Sequence, residues 1–204
     1  MRTVVNEFVY EIVIQKSRFI GILNHLNSVE EVKDILARVK KEYPKATHYC
    51  YGYVFEGTQK SNDDGEPSST AGKPILETLL KNNLTNVLLI VVRYFGGIKL
   101  GAGGLTRAYV DSATQVIKTA DIYRLVNTSV YKAVINYNLY EIFKKFASNN
   151  DINIINVDYL ENIELIISSE NLDVNILKEY LLNKIEITYL KEEIVLIKDK
   201  MEGK

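Results

Sequence analysis

NVLLIVVRYFGGIKLGAGGLTRAYV, residues 86–110, is the stretch that decides the fold. Asn86–Val92 is a near-continuous apolar run and reads as a strand buried on both faces. Five of the nine residues from Gly96 to Gly104 are glycine, which opens the chain into a loop at a cost in backbone entropy. Ala102–Ala120 then reads as a long helix, with Leu105, Ala108, Tyr109, Ser112, Val116 and Ile117 on one side. Strand, glycine loop and helix form one unit, and the loop delivers free backbone N–H groups at a helix N-terminus.

Upstream of this unit, Ile75–Asn82 reads as a short helix with Pro74 near its first turn, and Gly57–Gly72 as a polar loop. His48–Glu56 is Tyr-rich and strand-like. Glu7–Ile14 alternates at strand period, with Phe8, Tyr10, Ile12 and Ile14 on one face, and Ser17–Leu26 is its hairpin partner. Ser28-Val29-Glu30-Glu31 has the form of a capping box. Val32, Ile35, Leu36 and Val39 follow at helical spacing until Pro44 ends the segment. Ile122–Val126 adds a last strand.

Downstream the composition changes. Every glycine but Gly203 lies between Gly21 and Gly104, and the second half is built from Ile, Asn, Leu, Glu and Tyr. Strand (Val130–Tyr137), helix (Leu139–Asn149), strand (Ile152–Tyr159), strand (Ile163–Ser168), helix (Leu172–Leu182) and strand (Glu186–Val195) give the order βαββαβ, the ferredoxin-like arrangement. The class is α+β with two domains, residues 1–126 and 127–204. Without a Pro/Gly/Ser-rich tether, a continuous strand is one way to join them.

Composition narrows the function classes. Apolar residues make up 47% and charged residues 25%, with a net charge of −1, so this is neither a disordered nor a membrane chain. No apolar run reaches the roughly 18 residues of a membrane span, and the first ten residues lack a signal-peptide pattern. A single cysteine, Cys50, favours a reducing compartment, and a cytoplasmic location is expected. With two histidines besides, zinc is not expected. Residues 1–126 hold 16 Lys/Arg against 13 Asp/Glu, a balance of +3, and residues 127–204 balance at −4. Neither charge alone specifies nucleic-acid binding.

Two loops hold residues suited to chemistry. In the first, Asp63, Asp64, Gly65, Glu66, Ser68, Ser69, Thr70 and Lys73 precede a helix. Hydroxyls and N–H groups there attract anions; the plain alternative is an Asp-Gly turn followed by a Ser/Thr cap. Asp63, Asp64 and Glu66 also offer oxygen ligands for Mg²⁺ and, with His48, acid/base groups. The loop is not a Walker A motif: six residues separate Gly65 from Gly72, and Pro74 stands where Ser or Thr is required.

In the second loop, Gly96, Gly97, Gly101, Gly103 and Gly104 permit close approach of a ligand. Arg93, Lys99 and Arg107 bring positive charge, and Tyr94 and Phe95 either stack on bases or fill core. Together with Lys73 they are the candidate anion- and nucleic-acid-binding set. The alternative is tight helix–sheet packing at Gly103, Gly104 and Ala108. It is no dinucleotide fingerprint, since Thr106 stands where the third glycine belongs. His48 and Cys50 share one face of a strand, either as a reactive pair or as half-buried neighbours. Tyr49, Tyr51 and Tyr53 form either an aromatic platform or a core edge.

These residues resemble the YigZ/IMPACT family across essentially the whole chain. The resemblance is carried by Lys16–Ile20, Ala46–Tyr51, Asp63–Ser68, Thr70–Leu76 and above all Val91–Leu105. It implies a first domain like the second domain of a small-subunit ribosomal protein and domain four of elongation factor G, followed by a ferredoxin-like domain. It also implies action on RNA or the translation apparatus; the eukaryotic relatives look like translation regulators working through protein contacts. Ser69 stands where the family usually has glycine, and Lys73 where it has arginine.

Three readings follow. The first is a translation-related regulator that binds RNA or the ribosome through the cationic glycine loop. The second is a hydrolase or other enzyme on a small phosphorylated or peptide-like substrate. The third is a protein–protein module whose partner belongs to the translation apparatus. The expectation leans away from catalysis, and the oligomeric state is not specified.

Overall fold

A computed structural model describes residues 1–198; residues 199–204, the end of the segment read as the second domain, lie outside the described residues. The apolar run at 86–92 is strand β6 (Val87–Tyr94). It is the centre of an antiparallel sheet with β2 (Phe8–Ile14), β3 (Ser17–His25), β4 (His48–Phe55) and β5 (Thr58–Asn62), in the order β2-β3-β6-β4-β5. Ile22 of β3 and Tyr51 of β4 both pair with Ile90. β6 is apolar from Val87 to Val92 because helices cover both faces of the sheet. Val87, Leu89 and Val91 pack with Ile75 and Leu79 of α2 (Gly72–Lys81) and with Leu105, Ala108 and Tyr109 of α3 (Gly101–Thr119). Leu88, Ile90 and Val92 pack with Val32 and Val39 of α1 (Glu31–Glu42). Tyr53 is buried in that second cluster with Tyr49 and Tyr51 beside it, so the alternating tyrosines are core edge.

Three local readings change. The stretch read as a loop from Gly57 begins as β5, which pairs with β4 (Tyr53↔Lys60) around a turn at Glu56 and Gly57, whose φ values are 44° and 84°. Its outer residues Thr58, Gln59 and Lys60 are exposed, so this polar edge strand has no apolar alternation to announce it. The capping box is displaced: Glu31 reaches back past Ser28 to accept from the backbone N–H and the side-chain amide of Asn27, at 3.0 and 3.1 Å. The two strands read on either side of residue 128 are one strand, β7 (Tyr123–Ile135), whose first residues pair with the short β1 (Arg2–Thr3).

The chain divides into two compact units, Met1–Arg124 with Lys198, and Leu125–Ile197. In the second unit, β7, α4 (Tyr140–Asn149), β8 (Asn153–Tyr159), β9 (Ile163–Ser169), α5 (Val174–Tyr180) and β10 (Ile185–Lys198) follow the order βαββαβ. The strands lie in the order β10-β7-β9-β8, the ferredoxin-like arrangement. Phe143 and Phe146 of α4 and Leu177 of α5 fill the core against Ala133, Leu165 and Ile167. Among the described residues no helix is long and apolar enough to cross a membrane.

Candidate functional site

Arg93 has the strand parity of Leu89 and Val91, so its side chain points to the α2/α3 side of the sheet. Phe19 of β3 and His48 of β4 are its direct cross-strand neighbours. The guanidinium carbon lies 5.3 Å from the Phe19 ring centre and 5.4 Å from that of Phe95, within cation–π range. A cation there needs a counter-charge. Glu66, in the loop between β5 and α2, supplies it: Arg93 donates from one terminal nitrogen to Glu66 Oε1 at 2.5 Å, and the side chains are 6% and 3% exposed. The Tyr109 hydroxyl donates to the same oxygen at 2.8 Å. Tyr109 is itself fully buried, with its ring edge-on to Phe19 at 5.3 Å. Buried ion pairs hold only where further hydrogen bonds offset desolvation, and Tyr109 provides one.

Behind this pair lies Cys50. Its single S–H faces two acceptors, the Asp63 carbonyl at 3.0 Å and Tyr109 Oη at 3.3 Å. Burial pushes the thiol pKa up to about 12, and burial, with the nearby Cys50 and Glu66, raises that of the Tyr109 phenol. Both groups are therefore neutral, and Cys50 is a core residue rather than a nucleophile.

The acidic loop is built by its own carboxylates. Asp63 Oδ1 accepts from the N–H groups of Ala71 and Gly72 at 3.0 and 2.8 Å, and its Oδ2 accepts from Ser69 N–H at 2.8 Å. Asp63 thus does the work expected of Ser68, Ser69 or Thr70: α2 has Ala71 at its N-cap, without a side-chain bond from that residue. Thr70 bonds instead to the Pro67 carbonyl at 2.6 Å. Asp64 Oδ2 accepts from Tyr49 N–H at 2.7 Å. Ser69 has φ 62°, which explains why a glycine would suit that position. Among the described residues no three His, Cys, Asp or Glu side chains come together to hold a metal ion.

The second loop divides its glycines between tasks. A Cβ on Gly96 would lie 2.0 Å from the Lys16 carbonyl carbon, so the turn between β2 and β3 packs directly on it. Gly97 and Gly101 meet open space but have φ of 85° and 69°. Phe95 N–H donates to Thr47 Oγ1 at 3.0 Å and Gly96 N–H to Ser17 Oγ at 3.1 Å, which fix the loop's entry. α3 then opens with Leu100 at its N-cap and no side-chain capping bond.

Between the loops is a cleft of about 430 Å³. Glu66, Arg93 and His48 form its polar side, Phe95, Leu100 and Leu105 its apolar walls, and Lys99 and Gly101 its rim toward the start of α3. His48 Nδ1 lies 2.8 Å from the Asp64 carbonyl, which can only accept, so Nδ1 carries hydrogen and Nε2 is left to face Glu66 Oε2 at 3.8 Å. Phe95 is 45% exposed. The fold thus gathers His48, Glu66, Arg93, Phe95, Lys99 and Gly101 from the sequence-derived set.

Others of that set lie apart. Lys73 is exposed and 4.0 Å from Glu77 on its own helix. Tyr94 donates to the Pro44 carbonyl at 3.2 Å and stacks under Arg18. Arg107 is exposed on α3, beside Gly103. Sequence reasoning placed Tyr109 on the core side of α3 but missed its bond to Glu66; a lone aromatic among the small core-face residues Ala108, Ser112 and Ala113 was the available signal.

The sequence profile of the Impact N-terminal domain matches residues 15–117. IMPACT family member YvyE of Bacillus subtilis is 34% identical over 202 residues, covering 93% of each chain. IMPACT family member YigZ of Escherichia coli is 36% identical over 151 residues, 72% of this chain and 74% of that one. Rat Protein IMPACT matches over 95 residues, 43% of this chain and 29% of its own length, at 34% identity. Among solved structures, one described as a hypothetical protein is similar at a TM-score of 0.59 and 29% identity, over 94% of this chain and 98% of that one. The matched profile runs through the strands, loops and helix that build the cleft, and the chain belongs to the IMPACT family.

Proposed function

We propose that this chain is a translation-related regulatory protein that contacts RNA, free or on the ribosome, through the cleft and the cationic glycine loop. The observation that carries the proposal is the convergence of the Lys99 ammonium with an uncapped glycine helix start and a half-exposed Phe95 around one concavity. Cations and free N–H groups suit phosphates, and an exposed ring suits an unstacked base. Family membership supports the translation setting. The balance of +3 in residues 1–126 confines the contact to a local site rather than a broad basic face.

Filter binding of a single-stranded RNA 12-mer across a salt series tests this. With Lys99 and Arg107 each neutralising a phosphate, log K falls against log salt with a slope of about −1.4, and Lys99→Gln halves it. Failure to bind at about 50 mM salt, or binding with no salt dependence, overturns the proposal. Ribosome co-sedimentation that survives the loss of Lys99 and RNase treatment would assign the contact to protein instead.

A further inference from the structure

Glu66 uses only one of its two oxygens within the protein. Oε1 accepts from Arg93 and Tyr109, whereas among the described residues no hydrogen bond reaches Oε2, and the imidazole nitrogen His48 Nε2 stands 3.8 Å away, beyond hydrogen-bond length. The side chain is 3% exposed and belongs to the cleft wall. An acceptor held in a buried position by an arginine and a tyrosine, with its second oxygen unused, is arranged for an N–H donor from outside. Around it the cleft offers opposite chemistry: the Lys99 ammonium, the His48 ring, and apolar walls at Phe95, Leu100 and Leu105.

We propose that the cleft takes one unstacked guanine of a single-stranded RNA. This rests on the RNA-contacting reading above and names the base that the site reads. Guanine presents adjacent N1–H and N2–H donors, which a carboxylate oxygen accepts, and an O6 acceptor beside them for a cationic donor. Adenine and cytosine each offer a single amino donor next to a ring acceptor that a carboxylate repels. Uracil offers one N–H flanked by two carbonyl oxygens. The ring stacks on Phe95, and the phosphate on its 5′ or 3′ side lies toward Lys99 and the N-terminus of α3. A base paired in an A-form helix cannot enter a concavity of about 430 Å³ without leaving its stack, so duplex RNA is excluded.

The first comparison uses the protein unchanged. Fluorescence anisotropy compares U₄GU₄ with the same 9-mer carrying inosine, adenine, cytosine or uracil at the centre. Guanine binds roughly tenfold or more tightly than uracil, and inosine, which lacks only the N2 amino group, loses about threefold to tenfold. Glu66→Gln, checked for folding by thermal denaturation, removes the preference for guanine over inosine while retaining salt-dependent binding. If all five oligonucleotides bind alike, the guanine proposal falls and the RNA-contacting reading stands. If none binds, the broader reading fails as well.

Discussion

Arg93→Met breaks the buried pair at the floor of the cleft and leaves Glu66 with only the Tyr109 hydroxyl. Both side chains are at least 94% buried and 2.5 Å apart, so the lost partner exposes the full desolvation penalty of the remaining carboxylate. Removing one member of such a pair costs about 3–5 kcal/mol. The double substitution Arg93→Met/Glu66→Gln removes both charges, and its amide oxygen can still accept from Tyr109. It therefore recovers at least about 1 kcal/mol relative to Arg93→Met alone, since a neutral buried site avoids the unpaired-charge penalty. Urea titration read by hydrogen exchange of the β6 amides assigns the transition to the first unit. A loss under about 1 kcal/mol for Arg93→Met, or a double variant as unstable as the sum of its singles, refutes the coupling.

Further outcomes follow from the same geometry. Gly96→Ala drives a methyl group into the Lys16 backbone and costs more than Gly97→Ala, which meets open space and suffers only its positive φ, about 1 kcal/mol. Thermal melts rank the two, and equal losses would contradict the packing assigned to Gly96. Asp63→Asn weakens the bonds to Ser69, Ala71 and Gly72 and lowers stability by about 1–2 kcal/mol, with amide exchange accelerating first at the start of α2. Cys50 has its folded pKa raised from 9.0 to about 12, so its contribution is complete below pH 9 and is lost as pH rises toward 12. The stability falls there by about 1.4 kcal/mol per pH unit, and Cys50→Ala flattens the first part of that decline. A decline unaltered by Cys50→Ala places its origin elsewhere.

The parts of the fold legible in the sequence are those where one physical signal dominates. β6 is apolar at six successive positions, Val87–Val92, because helices press on both its faces, and α3 repeats its apolar residues at helical spacing. β5 escaped because an exposed edge strand needs no apolar side, and Thr58–Asn62 is polar throughout. The cap of α2 was hidden for a different reason. A serine–threonine run before a helix is the usual cap, yet the carboxylate that performs it sits eight residues before Ala71, brought there by the turn at Asp64 and Gly65. The resemblance to the IMPACT family was carried by the same loops, but it did not separate their residues by role.

The cleft was half legible. Its cations and glycines stand together in one stretch, whereas its floor joins Arg93 to Glu66 and Tyr109, 27 and 43 residues distant from Glu66. That meeting depends on the pairing of β4 with β6 and on α3 lying across the sheet. The glycines of the second loop also differ in what the fold asks of each. Gly96 serves packing, Gly97 and Gly101 serve backbone conformation, and a Cβ on Gly103 would meet only the Arg107 guanidinium, at 3.9 Å.

The most direct measurement is photo-crosslinking of the full chain to a single-stranded RNA carrying 4-thiouridine next to a central guanine, followed by mass-spectrometric mapping of the attached peptide. The account predicts crosslinks in the segment containing Phe95 and Lys99, lost in Lys99→Glu. Crosslinks confined to residues 125–198, or crosslinks in the first unit that ignore Lys99→Glu, would contradict it.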